Sequence, residues 1–259
     1  ELGWRACFKT KVYRYNKRMS YPENNEFNKI QFYLTANYNC GYLESKKAQS
    51  IVASPYQAIN QNEFNNLIHQ GFRRSGNHVY KPHCHECEKC IPIRIKVDDL
   101  KLNTTQKKCL KRNQFNVEIS DLKFEQEDFL LYQSYQTKRH NDQSTSEEDQ
   151  KEEYKNFLLT SNHDSKMFKF YLNKQLMIIS IVDLISDGIS AVYTIYNQHF
   201  PKLSLGTYAI LWQSEWCKEN NFSYLYLGYW INENAKMRYK TNFKPYELFI
   251  NKQWEKFNA

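Results

Sequence analysis

Three cysteines at C-x-x-C-x-x-C spacing, Cys84, Cys87 and Cys90, are the side chains that the sequence best suits to metal binding. Thiolates two residues apart can converge on one ion. Cys40, in a separate Gly-Tyr turn, can supply the fourth ligand of a tetrahedral zinc or of an iron–sulfur cluster. Reduced, partly buried thiols that bind nothing explain the same spacing. Four thiolates leave no open position for a substrate, so such a site is expected to be structural or redox-regulatory.

Two adjacent arginines, Arg73 and Arg74, lie in a basic loop just before these cysteines, and Tyr80 follows them closely. Guanidinium groups bind carboxylates through two parallel hydrogen bonds. Arg73, Arg74 and Tyr80 are therefore predicted to bind an acidic acceptor. Contacts to nucleic-acid phosphate, or side chains that face solvent, are the alternatives for the two arginines.

Four residues form the predicted catalytic set: His140, Asp142, Asp183 and Tyr229. His140 and Asp142 follow a helix pattern, where a histidine and a carboxylate can position or deprotonate an amine; a helix cap or a surface loop explains them as well. Asp183 interrupts an apolar strand pattern, and a buried carboxylate needs a reason, unless the strand lies at an edge. Tyr229 can line a cleft or stack on a base, although core packing explains a tyrosine equally well.

The remaining candidates are predicted contacts to a polyanion. Gly206 and Thr207 open a helix pattern whose first backbone N–H groups can bind a phosphate or a ribose, although an ordinary helix start also favours a small residue. The predicted basic contacts are Lys101, Lys107, Lys108, Lys111, Arg112, Lys236 and Lys240. Such side chains suit a nucleic-acid backbone, and a solvated lysine-rich face is the alternative.

Composition limits the function classes. The chain has 259 residues, 41% apolar and 16% aromatic, and can bury one large or two small cores. Its formal charge of +8 favours a polyanionic partner, unless an AT-rich coding sequence has raised the lysine content. No apolar run reaches the roughly 18 residues of a membrane span and no secretory block is visible, so no membrane and a cytoplasmic location are expected. Seven cysteines, an odd number, fit thiols or metal ligands better than disulfides.

The amino-terminal half is predicted to contain an extension and a small module. Residues 1–29 are basic and polar without a periodic apolar face, which predicts a flexible extension in which Met19 is the native start. Residues 30–120 combine strand patterns with one helix that Gly71 ends, and are predicted to form an α+β module that carries the cysteines.

The carboxy-terminal module is predicted to span residues 121–259. Its patterns are two helices, a three-strand meander, a helix opened by Gly206, a strand, a short helix and a closing hairpin. This order is similar to that of the acyl-CoA N-acyltransferase (GNAT) fold, in which the glycine-opened helix faces an anionic cosubstrate. The predicted fold class is α+β, with a GNAT-like acyltransferase domain and a smaller amino-terminal cysteine-containing α+β module.

Ordered sequence blocks extend over roughly residues 30–255. They are Gln31-Phe32-Tyr33-Leu34-Thr35, Cys40-x-Tyr42-Leu43, Gly71-Phe72-Arg73-Arg74-Ser75-Gly76, Tyr80-x-Pro82-His83-Cys84-x-x-Cys87-x-x-Cys90, Tyr135-x-x-x-Arg139-His140-x-Asp142, Ser190-Ala191-Val192-Tyr193-Thr194, Ser204-Leu205-Gly206-Thr207-Tyr208, Tyr226-Leu227-Gly228-Tyr229-Trp230-Ile231 and Lys236-Met237-x-Tyr239-Lys240. With these blocks the chain resembles the bacterial aspartate/glutamate leucyltransferases of the arginyl-tRNA–protein transferase family. It departs from the family at Asn197-Gln198, where Asp-Pro is common.

The resemblance implies an enzyme that transfers leucine from Leu-tRNA to proteins with amino-terminal Asp or Glu and so creates an N-degron. A monomer is favoured, and the sequence leaves the oligomeric state open. Aminoacyl-tRNA is an activated ester, so the transfer needs no cofactor and no nucleophilic side chain. An arginyltransferase with the same acceptors is the nearest alternative, because the donor is selected by a pocket that the sequence pattern does not reveal. Leucine would need an apolar pocket and arginine an acidic one. A zinc-ribbon RNA-binding protein is a more distant alternative.

Overall fold

The computed structural model describes residues 12–14, 30–140 and 146–258. Its strands, in chain order, are β1 (Val12–Arg14), β2 (Gln31–Thr35), β3 (Tyr38–Asn39), β4 (Lys47–Ala48), β5 (Ser50–Ser54), β6 (Arg73–Ser75), β7 (His78–Pro82), β8 (Ile91–Lys96), β9 (Asn116–Ser120), β10 (Ser165–Leu172), β11 (Gln175–Ile185), β12 (Gly188–Tyr196), β13 (Tyr224–Trp230), β14 (Tyr246–Ile250) and β15 (Gln253–Phe257). Its helices are α1 (Gln61–His69), α2 (Thr104–Arg112), α3 (Gln126–His140), α4 (Glu147–Tyr154), α5 (Leu205–Glu219) and α6 (Ala235–Arg238).

Local sequence signals explain where several helices begin and end. The Asn60 side chain accepts a hydrogen bond from the Glu63 backbone while the Glu63 carboxylate accepts one from the Asn60 backbone, and this capping box starts α1. Gly71, with a φ of +84°, ends the same helix as the sequence predicts. Ser146 caps α4 by accepting a hydrogen bond of 3.2 Å from the Asp149 backbone, also as predicted.

The described strands form two main sheets. The smaller sheet has the order β1-β2-β5-β7-β6, and the larger has the order β15-β14-β8-β13-β12-β11-β10-β9. The predicted meander is confirmed in the antiparallel pairs β10–β11 and β11–β12, and the predicted closing hairpin is β14–β15. The structure thus has the mixed α+β architecture that the sequence predicts.

The sheets divide before residue 91 rather than at the predicted boundary of 120. β8 lies between β13 and β14 in the larger sheet, and β9 forms that sheet's edge beside β10. The apolar side chains of β8, Ile93 and Ile95, are buried in the main core together with residues of β12 and α5. The period-two pattern of β8 predicts a strand correctly, but it carries no information about a partner strand more than a hundred residues away.

The larger sheet has a gap between two of its strands. β12 and β13 are parallel and pair only from Gly188 with Tyr224 to Ser190 with Tyr226, after which they diverge. A Cβ on Gly188 would lie 1.9 Å from the Tyr224 carbonyl oxygen, so only glycine permits this close start. Helix α5 connects the two strands. The gap between the diverging strands is where the candidate site lies.

None of the described helices has the length and apolar character needed to cross a lipid bilayer. Of the extension predicted at 1–29, the structure describes only β1, which pairs antiparallel with β2.

Candidate active site

A cavity of about 890 Å³ opens between the diverging ends of β12 and β13. One wall comes from β12 at Ala191–Thr194, the opposite wall from β13 at Leu227–Tyr229, and the amino terminus of α5 and the loop before it complete the enclosure. Among the predicted site residues, the cavity is lined by Arg73, Arg74, Tyr80, Gly206, Thr207, Tyr229, Lys236 and Lys240.

Arg73 lies at the base of this cavity on β6, which packs beside β12. It is nine-tenths buried, at 9% exposure. Its Nη1 donates to the Ser190 hydroxyl at 3.4 Å and its Nη2 donates to the Ala191 carbonyl. Within the described residues no carboxylate forms an ion pair with Arg73. The guanidinium is therefore a buried positive charge in the cavity that has no counter-charge among the described residues.

Arg74 also lines the cavity, but its guanidinium forms a buried ion pair. Its Nη2 lies 2.7 Å from Asp183 Oδ1, and the two side chains are 1% and 0% exposed. The Ser165 hydroxyl donates a further hydrogen bond of 2.7 Å to Asp183. Asp183 lies on β11, an interior strand, and does not line the cavity. The structure therefore places Asp183 as the partner of Arg74, away from any reacting group, and Arg74 has no free fork for an acceptor.

The sequence predicts a catalytic role for Tyr229, but its hydroxyl already forms a hydrogen bond within the protein. It donates to the Gly71 carbonyl at 2.9 Å, and burial raises the pKa of the phenol well above its ordinary value. Its own carbonyl accepts a hydrogen bond of 2.7 Å from Lys240 Nζ. Tyr80 packs 6.3 Å from the Tyr229 ring, centroid to centroid. This arrangement fixes the wall of the cavity and leaves Tyr229 unsuited to proton transfer near neutral pH.

We call a set of apolar and aromatic side chains that line the cavity the apolar face. Its side chains are Tyr135, Phe157, Val192, Tyr193, Leu205, Ile210 and Leu227. The Phe157 and Tyr193 rings meet edge to face with centroids 5.5 Å apart. No Asp or Glu of the described residues lines the cavity. Such a surface suits an aliphatic side chain and offers a cationic one no counter-charge.

Helix α5 directs its first turn at the cavity. Gly206 and Thr207 both line it, and Ser204, with a φ of +53°, makes no side-chain cap, so first-turn N–H groups stay available for an anionic group. A Cβ on Gly206 would lie 3.3 Å from Tyr196 Cε1, which leaves little room for a larger residue.

The predicted basic run forms an exposed face on and near α2. Its members Lys101, Lys107, Lys108, Lys111 and Arg112 are all exposed. The residue after α2, Asn113, donates 2.8 Å to the Leu203 carbonyl, in the loop that enters the cavity rim. Lys236 is exposed at that rim, and Lys240 is buried inside it. The hydrogen bond from Asn113 to Leu203 therefore connects the basic helix α2 to the loop at the cavity opening.

The four predicted metal ligands are neighbours. Cys40, Cys84 and Cys90 pack against one small core. The backbones of Cys84 and Cys87 pair in an isolated antiparallel β-bridge. Burial, together with the nearby Cys84, Cys40 and Cys87, raises the pKa of Cys90 to about 12. In the part of the chain that the structure describes, no three His, Cys, Asp or Glu side chains are arranged to hold a metal ion. The donor set suits zinc or a cluster, and the metal stays a prediction.

The two remaining catalytic candidates are only partly placed. His140 is the last residue of α3, the helix that contributes Tyr135 to the cavity, but its side chain lies outside the described residues, as does Asp142. Sequence reasoning missed Ser190 and Gly228, which hold Arg73 from two sides. A glycine inside a strand pattern signals a close approach, and Gly228, with a φ of +79°, meets Arg73 in this way.

Comparison with known proteins identifies the family of the chain. Residues 38–108 match the family model described as the N terminus of arginine-tRNA-protein transferase, and residues 127–250 match the model of its C terminus. The chain belongs to this family. Among its relatives, the aspartate/glutamate leucyltransferase of Methylobacillus flagellatus is 44% identical over 91% of this chain and 95% of the relative. The enzyme of the same name from Thiobacillus denitrificans is 40% identical over 92% of this chain and 100% of the relative.

Solved structures resemble this member of the transferase family only distantly. FemX has a TM-score of 0.40 and 9% identity over 77% of this chain and 80% of FemX. The L-PGS of Bacillus licheniformis has a TM-score of 0.42 and 11% identity over 57% of this chain, which spans about half of that structure, 47%. These values carry no argument about function.

Proposed function

We propose that this protein is an aminoacyltransferase that moves leucine from Leu-tRNA to the amino-terminal amine of proteins beginning with Asp or Glu. The observation that carries the proposal is one cavity lined both by the buried Arg73, which forms no ion pair within the described residues, and by the apolar face, with no Asp or Glu among the described lining residues. Relatives covering nine-tenths of the chain are named aspartate/glutamate leucyltransferase, which agrees with this division.

Arg73 is the proposed acceptor-binding residue. The acidic side chain of the acceptor provides the counter-charge that Arg73 lacks among the described residues, through a charge-assisted bidentate pair. Ser190 and Gly228 hold the guanidinium in place before the acceptor arrives, so little conformational entropy is lost on binding. Tyr80, next to Arg73 in the register of β6 and β7, forms the adjoining wall. Arg74 supports this strand through Asp183.

The apolar face is the proposed site for the donor side chain. A leucine removed from water there gains about 1.5–3 kcal/mol from burial, whereas an arginine would lose hydration without gaining an acidic partner. The surface around Phe157, Val192 and Ile210 therefore favours leucine as the donor amino acid over arginine.

The reaction needs alignment more than covalent catalysis. The ester of an aminoacyl-tRNA is already activated, and holding it against the attacking amine can supply about 7–11 kcal/mol of the barrier. His140 and Asp142, at the end of α3 and just beyond it, are the proposed groups that take the proton from the amine, which adds about 10²–10⁴-fold. The N–H groups at Gly206 and Thr207 hold the anionic or ribose part of the tRNA end.

The layout of this site is GNAT-like, because the cosubstrate lies between two diverging parallel strands at the start of the connecting helix. The exposed lysines of α2 bind the tRNA backbone, and Lys236 and Lys240 the tRNA end. The ester chemistry needs no metal, so a zinc or an iron–sulfur cluster on Cys40, Cys84, Cys87 and Cys90 would stabilise or regulate the smaller sheet. We place the reaction in the cytoplasm, where charged tRNA is present, and propose a monomer.

The decisive experiment offers the purified protein Leu-tRNA, Phe-tRNA or Arg-tRNA together with peptides that begin with Asp, Glu, Lys or Ala. We expect leucine on the Asp and Glu peptides only, detected by mass spectrometry. Transfer from Arg-tRNA without transfer from Leu-tRNA would instead identify an arginyltransferase. Failure with every charged tRNA would contradict an aminoacyltransferase and favour an RNA-binding protein.

The acceptor assignment is tested by Arg73→Ala, for which we expect kcat/KM with Asp peptides to fall at least about 30-fold. Arg73→Lys should restore only part of the activity, because the fork geometry is lost. Arg112→Ala is the matched control: it should raise the KM for Leu-tRNA and leave acceptor selection unchanged. An Arg73→Ala variant that weakens only tRNA binding would make Arg73 a phosphate contact.

A further inference from the structure

Two exposed aromatic rings stand at the mouth of the cavity. Phe200 and Tyr239 are 39% and 41% exposed, and both line the opening. The other large apolar side chains of comparable exposure among the described residues, Ile119, Phe124 and Leu130, do not line it. A single exposed ring needs no explanation, but two exposed rings that line one cavity suggest binding.

Both rings are carried by short, well-anchored turns. Phe200 directly precedes the 3₁₀ turn Pro201–Leu203, and the Leu203 carbonyl accepts a hydrogen bond of 2.8 Å from Asn113. Tyr239 begins the 3₁₀ turn Tyr239–Asn242 that continues from α6. Rings held in this way lose little freedom when a partner stacks on them.

The charge around the rings is positive. Lys202 lies two residues after Phe200, and Lys236 and Arg238 both lie shortly before Tyr239. All three basic residues are exposed. Aromatic faces that alternate with cations are the surface that unpaired nucleotides require, because each base stacks on a ring and each phosphate meets a positive charge. An acidic protein segment would use the cations but not the exposed ring faces.

The rim also continues into the basic face of α2. Cys109 and Asn113 both contact the Leu203 carbonyl, at 3.7 Å and 2.8 Å, so the rim loop is fixed to the helix that carries the exposed lysines. The loop that carries Phe200 is therefore joined to a surface that a nucleic-acid backbone can follow.

We infer that Phe200 and Tyr239 form a stacking platform for the unpaired 3′-terminal bases of the aminoacyl-tRNA. This inference rests on the proposed function and adds the residues that guide the ester into the cavity. With the bases stacked at the rim, the attached amino acid extends past the first turn of α5 toward the apolar face. Stacking tolerates any base, so the platform contributes affinity for the single-stranded end rather than selection of one tRNA.

The test compares two uncharged RNAs: intact tRNA and the same tRNA without its three terminal nucleotides. Trimming should weaken binding to the wild-type protein. Phe200→Leu and Tyr239→Leu should each weaken binding of intact tRNA about tenfold, in line with the loss of one stacked base, and should bind trimmed tRNA as well as the wild type does. Phe200→Tyr should keep wild-type affinity, because it keeps an aromatic face.

Phe124→Leu, at an exposed phenylalanine outside the cavity, is the matched control and should not change binding. Thermal unfolding midpoints equal to the wild type establish that each variant is folded. Equal losses for intact and trimmed tRNA, no loss in either leucine variant, or a higher KM for the acceptor peptide alone would each overturn the platform. Uncharged tRNA makes the test independent of leucine transfer: a protein that passes it but transfers no amino acid would refute the proposed function alone.

Discussion

Replacing Asp183 with alanine should destabilise the protein strongly, because it leaves the Arg74 guanidinium buried without a counter-charge. The two side chains are 0% and 1% exposed, and Arg74 Nη2 lies 2.7 Å from Asp183 Oδ1. Removing one member of a buried pair costs about 3–5 kcal/mol, against a total stability of about 5–15 kcal/mol for a typical domain. The remaining hydrogen bonds of Arg74, to the Thr160 and Gly76 carbonyls, do not neutralise its charge.

The loss is measured by urea unfolding, followed by tryptophan fluorescence from the five tryptophans of the chain. Asp99→Ala is the control: it breaks an ion pair with Lys256 in which both side chains are substantially exposed, and should cost less than about 1 kcal/mol. Combining Asp183→Leu with Arg74→Met should recover part of the stability, because it leaves no unpaired charge. If Asp183→Ala costs no more than Asp99→Ala, the reasoning about this pair is refuted.

Three further outcomes follow from single contacts. Gly228→Ala should lower kcat/KM with Asp peptides about tenfold or more, because the residue has a φ of +79° and its new Cβ would lie 3.0 Å from Arg73 Cζ; unchanged kinetics would contradict the close approach. Burial lowers the pKa of His163 to about 4, so the unfolded chain takes up a proton first as the pH falls from about 6.5 to 4, and stability decreases. His163→Phe should reduce the slope of unfolding free energy against pH between about pH 6.5 and pH 4, by up to about 1.4 kcal/mol per pH unit. An unchanged slope would argue against this role of His163. Burial raises the pKa of Cys90 and of Cys217 to about 12, so iodoacetamide at pH 7.5 should alkylate both slowly until urea is added; rapid labelling seen by mass spectrometry would contradict their placement.

The elements of the molecule could be predicted from the sequence because their signals are local. The alternation of Ile91, Ile93 and Ile95 predicts β8, Gly71 marks the end of α1, and Ser146 marks the start of α4. Each signal acts within a few residues, through side-chain period or a cap. The same reasoning identified the cavity residues Arg73, Gly206 and Thr207 as candidates by their chemistry and position.

Partnership between distant segments could not be predicted in this way. The place of β8 between β13 and β14 depends on pairings across more than 120 residues, which no local period records. Tyr229 has the chemistry of a catalytic residue, but only the fold shows that its hydroxyl donates to the Gly71 carbonyl, 158 residues away.

The two adjacent arginines show the difference most directly. By sequence Arg73 and Arg74 are chemically identical neighbours, and the sequence determined that this strand carries two guanidinium groups. Both line the cavity, but successive residues of a strand point to opposite faces, so the two guanidinium groups meet different partners. Asp183, 109 residues from Arg74, and Ser190, 117 residues from Arg73, decide which is paired and which is left for a substrate. Only the tertiary structure brings those partners next to the two arginines. The charge of a side chain follows from its chemistry, whereas the position of its counter-charge depends on the fold.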